Sequence, residues 1–111
     1  MGTVHEITKE EDLTALKKKS SGKILVIDFY AAWCGACKQY AYLFKKLAKD
    51  YKSTANFATV DTENESLSKI CDNEEINVLP TVVVYKKGKY EAKLEGMKQC
   101  QEKLAEILKA K

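Results

Sequence analysis

The chain contains no arginine, a single proline, a single histidine and no apolar run near the roughly 20 residues that a membrane span requires. Its lysines are interleaved with acids at a net charge of +3, so it lacks the basic face typical of nucleic-acid-binding proteins. The N-terminal segment, MGTVHEITKEED, has no apolar signal core. We therefore expect no nucleic acid and no membrane as a partner, and a cytoplasmic location.

Four cysteines in 111 residues are too few for the disulfide scaffold of a small secreted protein. The length suits a single domain over residues 1–111 with one core. Hydrophobic residues make up 45% of the chain and charged residues 32%, as in ordinary globular domains, so nothing indicates disorder.

The periodicity of the apolar residues predicts an α/β fold in which strands and helices alternate. A late hairpin adds an antiparallel edge, so we expect a five-stranded mixed sheet flanked by four helices, in the order βαβαβαββα. Predicted strands cover 3–7, 23–30 and 55–61, with a hairpin over 81–94 turning at Lys87-Gly88. Predicted helices cover 9–20, with Thr8 as N-cap and Glu11 three residues on, and then 34–52, 65–75 and 100–110.

The two cysteines of FYAAWCGACK lie three residues apart, where a buried strand is followed by a helix. The positive end of the helix dipole favours an anion there, and hence the thiolate form of Cys34. A thiolate is the nucleophile of disulfide exchange. Cys37 lies one turn inward on the same helical face, close enough to form a disulfide with Cys34. Gly35 allows a tight turn, and Trp33 can cover one side of the sulfur.

Such a pair can hold a metal, form a permanent disulfide or transfer electrons. A zinc site needs about four ligands, and the isolated Cys71, Cys100 and His5 do not supply a second pair. A purely structural disulfide does not suit a reducing compartment. A Cys-x-x-Cys beside a βαβ pattern favours the redox use.

Several motifs agree with this interpretation along the whole chain. DFYAAWCGACK is followed by VLPT at 78–81, by VVVYKKGK and by Gly96. In this order and at this spacing the chain resembles the thioredoxin family. The resemblance implies the thioredoxin fold and a thiol–disulfide oxidoreductase with no bound cofactor, whose redox group is the Cys34–Cys37 disulfide.

The resemblance also implies roles for three residues. Cys34 would be the nucleophile that attacks a substrate disulfide, and Cys37 would resolve the mixed disulfide. Asp28 matches the family's buried acid and would accept the proton of Cys37. Because an ionised carboxylate is costly in an apolar strand, we expect a raised pKa for Asp28.

Pro80 matches the family's cis proline, which faces the cysteine pair. A cis bond there would turn the backbone of Leu79 towards an extended substrate peptide. No metal ligand is expected. The expected substrate-binding residues are Trp33, Gly35, Ala36, Val78, Leu79, Pro80, Gly96 and Met97.

Three positions depart from the family pattern. Ala36 stands where proline is usual, and we hypothesise that its N–H bonds to the thiolate of the first cysteine and makes the pair more oxidising. Tyr42 replaces a helix-kinking proline, which predicts a straighter helix or a kink with another cause. Many family members carry a lysine near the buried acid, but the matching positions are Thr59 and Ala41, so Asp28 is expected to lack a cationic partner.

The other two cysteines are expected to be inert. Cys71 lies on the apolar face of its helix and is interpreted as a core residue. Cys100 opens the last helix, and of the two it is the better candidate for an intermolecular disulfide or a glutathione cap.

The function implied by the resemblance is protein-disulfide reduction by a Cys34–Cys37 dithiol–disulfide cycle, within electron transport and cell redox homeostasis. Electrons would come from NADPH via thioredoxin reductase. Substrates would be disulfide-containing proteins such as peroxiredoxins, and the chain would act as a monomer. Two alternatives stay open: a thioredoxin-like oxidase or isomerase with a shifted potential, and a non-redox thioredoxin-fold binding subunit.

Overall fold

A five-stranded mixed sheet forms the centre of the computed structural model, which describes residues 3–110. The strand order is β1-β3-β2-β4-β5, with β1, β3 and β2 parallel and β4 and β5 antiparallel to their neighbours. The order of elements along the chain and the mixed sheet confirm the predicted fold class. The strands are β1 (Val4–Ile7), β2 (Ile24–Tyr30), β3 (Ala55–Asp61), β4 (Thr81–Lys86) and β5 (Lys89–Glu95).

Four α-helices cover the sheet, as predicted; the first two lie within two residues of the predicted bounds, and the last two differ by more. They are α1 (Glu10–Lys19), α2 (Gly35–Asp50), α3 (Ser68–Asn73) and α4 (Met97–Ala110). The predicted helix over 65–75 is a 3₁₀ turn at Glu65–Leu67 followed by the six-residue α3. The last helix begins three residues earlier than predicted, directly after Gly96, whose φ of +89° ends β5.

Alternate residues of the strands face two separate cores, because successive strand side chains point to opposite faces. The first core lies between the sheet and helices α2 and α4, and the second lies between the sheet and helices α1 and α3. Strand β2 contributes to both and is buried from Ile24 to Phe29. The central strand therefore has no solvent-exposed face until it reaches the loop that carries the cysteines.

The N-terminus of α1 is capped differently from the prediction. Lys9, rather than Thr8, is the N-cap residue, and the carboxylate of Asp12 caps the helix from within its first turn. The N–H groups of Thr8 and Lys9 donate to Asp12 Oδ2 over 3.0 and 3.3 Å. The pairing of Thr8 with Glu11 was wrong by one residue, since Asp12 is the acid that stands three residues after the true N-cap.

Helix α2 runs without a break from Gly35 to Asp50. The Tyr42 side chain is 80% exposed. Within residues 3–110, no helix has the length and apolar character needed to cross a lipid bilayer.

The first core should depend strongly on Leu104, a fully buried residue of α4. We expect Leu104→Ala to lower the free energy of unfolding by about 2–5 kcal/mol, because it removes buried methyl groups and leaves a cavity. Urea denaturation of the reduced protein measures this change. Leu43→Ala, at a partly exposed position beside the same core, should cost clearly less; equal losses would contradict this account of the core.

Candidate active site

Cys34 is the N-cap residue of α2 and lies at the end of the loop that follows β2. Its backbone is extended, at φ −85° and ψ 110°, which directs its side chain back over the first turn of the helix. The N–H of Cys37 donates to Cys34 Sγ over 3.1 Å. A helix start therefore presents a donor to the sulfur, and such a donor stabilises a negative charge on it.

This hydrogen bond corrects the hypothesis about Ala36. In residues 3–110, the donor to Cys34 Sγ is the N–H of Cys37, at the third helical position, and the hypothesised bond from Ala36 is absent. The N-cap geometry places the sulfur near the N–H of the third helical residue, Cys37, and not near that of the second, Ala36. Ala36 instead packs, partly buried, against the cluster formed by Ala31 and the two cysteines.

Asp28 lies on β2, is only 3% exposed, and its Oδ1 has no hydrogen-bond partner in the described chain. Loss of hydration raises the pKa of its carboxyl from 3.8 to about 7, as expected from the sequence. Thr59 lies directly opposite on β3, so the residue beside the acid is neutral. A carboxyl group in this condition can gain or lose a proton near neutral pH.

Cys37 is almost completely buried, and it lies close to this carboxyl group. Burial, followed by the hydrogen bond with Cys34, raises the pKa of the Cys37 thiol to about 12. Asp28 and Cys37 line one cavity of about 470 Å³, which we call the acid cavity. The thiol therefore needs a base, and the carboxylate beside the same cavity is suited to that role.

A separate surface groove runs past Cys34 on the other side of the pair. Its volume is about 480 Å³, and it lies beside the Trp33 side chain, which is 70% exposed. An exposed indole beside a nucleophilic sulfur offers an apolar contact for a partner. The groove is lined by Trp33, Cys34, Thr62, Glu63, Cys71, Ile76, Asn77 and Leu79.

The segment before β4 brings the predicted peptide-binding residues to the same region. The Leu79–Pro80 peptide bond is cis, as the resemblance implied. Leu79 packs against the cysteine cluster, and Val78 is 41% exposed. The N–H of Gly96 donates to the Pro80 carbonyl over 2.9 Å, which places Gly96 beside that bond.

Two of the predicted groove residues need separate mention. Gly35 is exposed as the first residue of α2, next to Cys34. Met97 opens α4 and packs, partly buried, against the first core. Among the predicted substrate-binding residues, Trp33 and Leu79 line the groove, and six are absent from its lining: Gly35, Ala36, Val78, Pro80, Gly96 and Met97.

The sequence did not predict Thr62, Glu63, Ile76 or Asn77 as groove residues. Thr62 and Glu63 follow β3, and the carboxyl ends of neighbouring parallel strands meet at one edge of a sheet, so this signal was available. Ile76 and Asn77 lie in a loop whose path no periodic pattern indicates.

The expectation for Cys71 holds only in part, and one expectation for Cys100 is wrong. Cys100 is fully buried, with its Sγ 3.3 Å from the Leu94 carbonyl oxygen, so the prediction that it is the better candidate for an external disulfide is wrong. Cys71 is only partly buried, and besides touching the second core it lines the groove. All four cysteines are free thiols. In residues 3–110, no cluster of three or more His, Cys, Asp or Glu side chains could hold a metal ion.

The family model and the most similar relatives all belong to one family. The thioredoxin family model matches residues 3–110. Thioredoxin of Staphylococcus aureus is 37% identical over 103 residues, covering 92% of this chain and 94% of its own. A thioredoxin-like protein of Acanthamoeba polyphaga mimivirus is 40% identical over 84 residues, which are 76% of this chain but 60% of the viral protein.

Solved structures are similar over nearly the full length. Thioredoxin f from spinach chloroplast, in its short form, superposes with a TM-score of 0.87 at 28% identity and covers 98% of this chain and 93% of its own. A chain from the crystal structure of a ferredoxin:thioredoxin reductase and thioredoxin f2 complex reaches a TM-score of 0.86 at 30% identity. That match covers 98% of this chain and 96% of the other.

Burial of Asp28 should make the protein less stable as the pH rises. Below pH 3.8 the carboxyl is protonated in both the folded and unfolded chains; between pH 3.8 and about 7 only the unfolded chain releases the proton, so the free energy of unfolding falls. The total loss in the free energy of unfolding is about 4 kcal/mol and is complete above pH 7. Asp28→Asn removes it, so the stability gain of this variant over wild type should grow from pH 4 to pH 8.

Urea denaturation across this pH range tests the prediction. Asp72→Asn, at an exposed position on α3, is the matched control and should show a constant difference from wild type. Parallel pH profiles for Asp28→Asn and wild type would show that the carboxyl is not buried as described.

Proposed function

The chain belongs to the thioredoxin family of thiol–disulfide oxidoreductases, and we propose that it reduces disulfide bonds in other proteins through a dithiol–disulfide cycle of Cys34 and Cys37. The observation that carries this proposal is the position of Cys34 Sγ. It lies at the N-cap of α2, accepts the Cys37 N–H over 3.1 Å, and lines a surface groove of about 480 Å³ beside an exposed tryptophan.

In the first step, the Cys34 thiolate attacks one sulfur of a substrate disulfide. An S–S bond forms between Cys34 and the substrate, the substrate disulfide breaks, and the second substrate sulfur leaves as a thiolate that takes a proton from water. The helix start stabilises the attacking anion. Trp33 and Leu79 lie beside the sulfur and provide apolar contacts for the substrate chain.

In the second step, Cys37 releases the substrate. Its thiol proton passes to the Asp28 carboxylate, its sulfur attacks Cys34 Sγ, and the mixed disulfide breaks to leave the Cys34–Cys37 disulfide and a reduced substrate. The buried thiol has a pKa of about 12 and needs this base, and the carboxyl pKa of about 7 suits a group that must both accept and release a proton. No bound cofactor takes part in either exchange.

The oxidised pair must then be reduced by another protein. We propose a flavin-dependent thioredoxin reductase that uses NADPH, acting on Cys34 from the same groove. The similarity to a chain crystallised with ferredoxin:thioredoxin reductase supports a reductase partner of some kind without selecting the electron donor. Protein disulfides, including those of peroxiredoxins, are the proposed substrates, in the cytoplasm and with the chain as a monomer.

The insulin reduction assay tests the cycle without a cognate reductase. With dithiothreitol as the reductant, wild-type protein should accelerate the appearance of insulin turbidity, and Cys34→Ser should abolish the acceleration because no mixed disulfide can form. Cys71→Ser is the matched control, since Cys71 lines the groove but has no part in the cycle.

The possible outcomes separate the candidate functions. Equal loss in Cys34→Ser and Cys71→Ser would contradict the assigned roles. A folded, reduced wild type that gives no acceleration would remove the reductase proposal and favour an oxidase-like or non-redox binding function.

Trp33 should contribute to binding rather than to the exchange itself. We expect Trp33→Ala to raise the KM for insulin several-fold, because about 1 kcal/mol of apolar contact with the exposed indole is lost, and to leave kcat nearly unchanged. Steady-state kinetics measures both constants. Tyr90→Ala, which removes another exposed aromatic from β5, is the control and should change neither constant; a fall in kcat at constant KM in Trp33→Ala would refute the binding role.

A further inference from the structure

The acid cavity contains more than Asp28 and Cys37. Its remaining polar lining comes from Glu6 on β1, Thr59 on β3, Tyr30 on β2, and Lys38 and Lys45 on α2, with alanine and valine side chains between them. A buried carboxyl with an unbonded oxygen faces two lysines across this space. The mechanism proposed above uses neither lysine.

The three inner sheet residues form one row. Glu6 pairs in register with Thr59, and Thr59 pairs with Asp28, so all three side chains face α2 from adjacent strands. Strands lie about 4.8 Å apart, so Glu6 and Asp28 flank the threonine at roughly 10 Å from each other. Carboxylates therefore stand at the mouth and at the base of the cavity.

The titratable groups around Asp28, apart from the lysines of α2, are acidic or neutral at pH 7. Burial raises the pKa of Tyr30, and the charges of Asp61, Glu6 and Asp28 raise it further, which shows that three carboxylates act on this side of the sheet. Beyond Cys37 and Tyr40 on α2 and Cys100 on α4, which are neutral at pH 7 because burial raises each pKa, no other titratable group acts on Asp28 from the first core. Glu6 and Asp28 are the acidic residues of the cavity lining, and the lysines of α2 are its only cationic lining in the described chain.

Lys45 has the position and direction to enter this cavity. Cys37, Ala41 and Lys45 follow each other at intervals of four, so they lie along one line of the helix surface. Helix side chains lean towards the N-terminus, which carries the Lys45 stem over Ala41 towards Cys37. One such interval is roughly 6 Å, about the length of the four-carbon lysine stem, and Ala41 has only a methyl group to obstruct it.

The neighbouring lysines are placed less well. Lys38 follows Cys37 directly, so its stem leans towards the helix start and away from the base of the cavity. Lys46 already pairs with Asp50 at 2.8 Å. Lys45 is exposed and takes part in no ion pair within residues 3–110.

From this geometry we infer that Lys45 is the positioning residue for proton transfer at Asp28: its ammonium group enters the acid cavity to pair with the Asp28 carboxylate when that group is ionised. Lys45 thereby supplies a cation to an acid whose neighbours Thr59 and Ala41 are neutral. It increases the fraction of Asp28 that is ionised at neutral pH and can therefore accept the Cys37 proton. This inference rests on the proposed function only for the consequence to turnover.

The first test is direct titration of Asp28, which requires no activity. Carbon-13 NMR of the side-chain carboxyl, at low salt and in a Cys34→Ser, Cys37→Ser background that removes the thiol titrations, gives the midpoint. Lys45→Gln should raise it by about one pH unit, since a cation within about 4–6 Å lowers a carboxyl pKa by one unit or more. Lys45→Arg should keep the wild-type midpoint, and the matched control Lys46→Gln should leave it unchanged.

Two results would overturn the inference: an unchanged midpoint in Lys45→Gln, or an equal rise in Lys46→Gln or Lys38→Gln. In the protein with both cysteines, Lys45→Gln should shift the pH profile of insulin reduction to higher pH by the same amount as it shifts the NMR midpoint. If insulin is not reduced at all but the midpoint moves, the proposed function fails and the Lys45 pairing stands. If insulin is reduced and the midpoint does not move, the reductase function stands and the Lys45 pairing fails.

Discussion

Strand β2 is bonded to β3 on one edge and to β4 on the other, and it is covered by a core on each face. A shift of one residue would exchange the two faces and expose apolar side chains, so its register is strongly constrained. The row Ile24, Val26 and Asp28 faces α2, and the carboxyl is therefore held beneath the helix by the burial of the residues before it. The same strand delivers Cys34 to the start of α2, so one constraint places both acid and nucleophile.

The two cysteines of the pair line two separate spaces. Cys34 lines the exposed groove, whereas Cys37 lines the acid cavity, and neither sulfur's residue contributes to the other space. Sulfur exchange with a partner can take place on one side of the pair while the proton moves on the other. A substrate that fills the groove therefore leaves the route of the proton free.

Local patterns predicted what local physics determines. The apolar run of β2, the turn at Lys87-Gly88 and the cysteine pair at a helix start were all readable, because each depends on neighbouring residues. The groove residue Cys71 and the lysine at 45 were not, since they reach the site only through the packing of α3 and through a line of residues along α2. The Ala36 hypothesis failed for a related reason: sequence shows that a donor exists, but only the backbone angles decide which amide meets the sulfur.

Cys100 places a thiol that can be alkylated in the interior of the protein. Its thiol is fully covered by the sheet and α4, and the Tyr40 hydroxyl donates to its backbone carbonyl over 3.3 Å, which ties α4 to α2. An alkylating reagent can reach this sulfur only when α4 separates from the sheet, so the labelling rate counts opening events of that helix. The protein thus carries its own reporter of local unfolding, placed beneath the carbonyl group of Pro80.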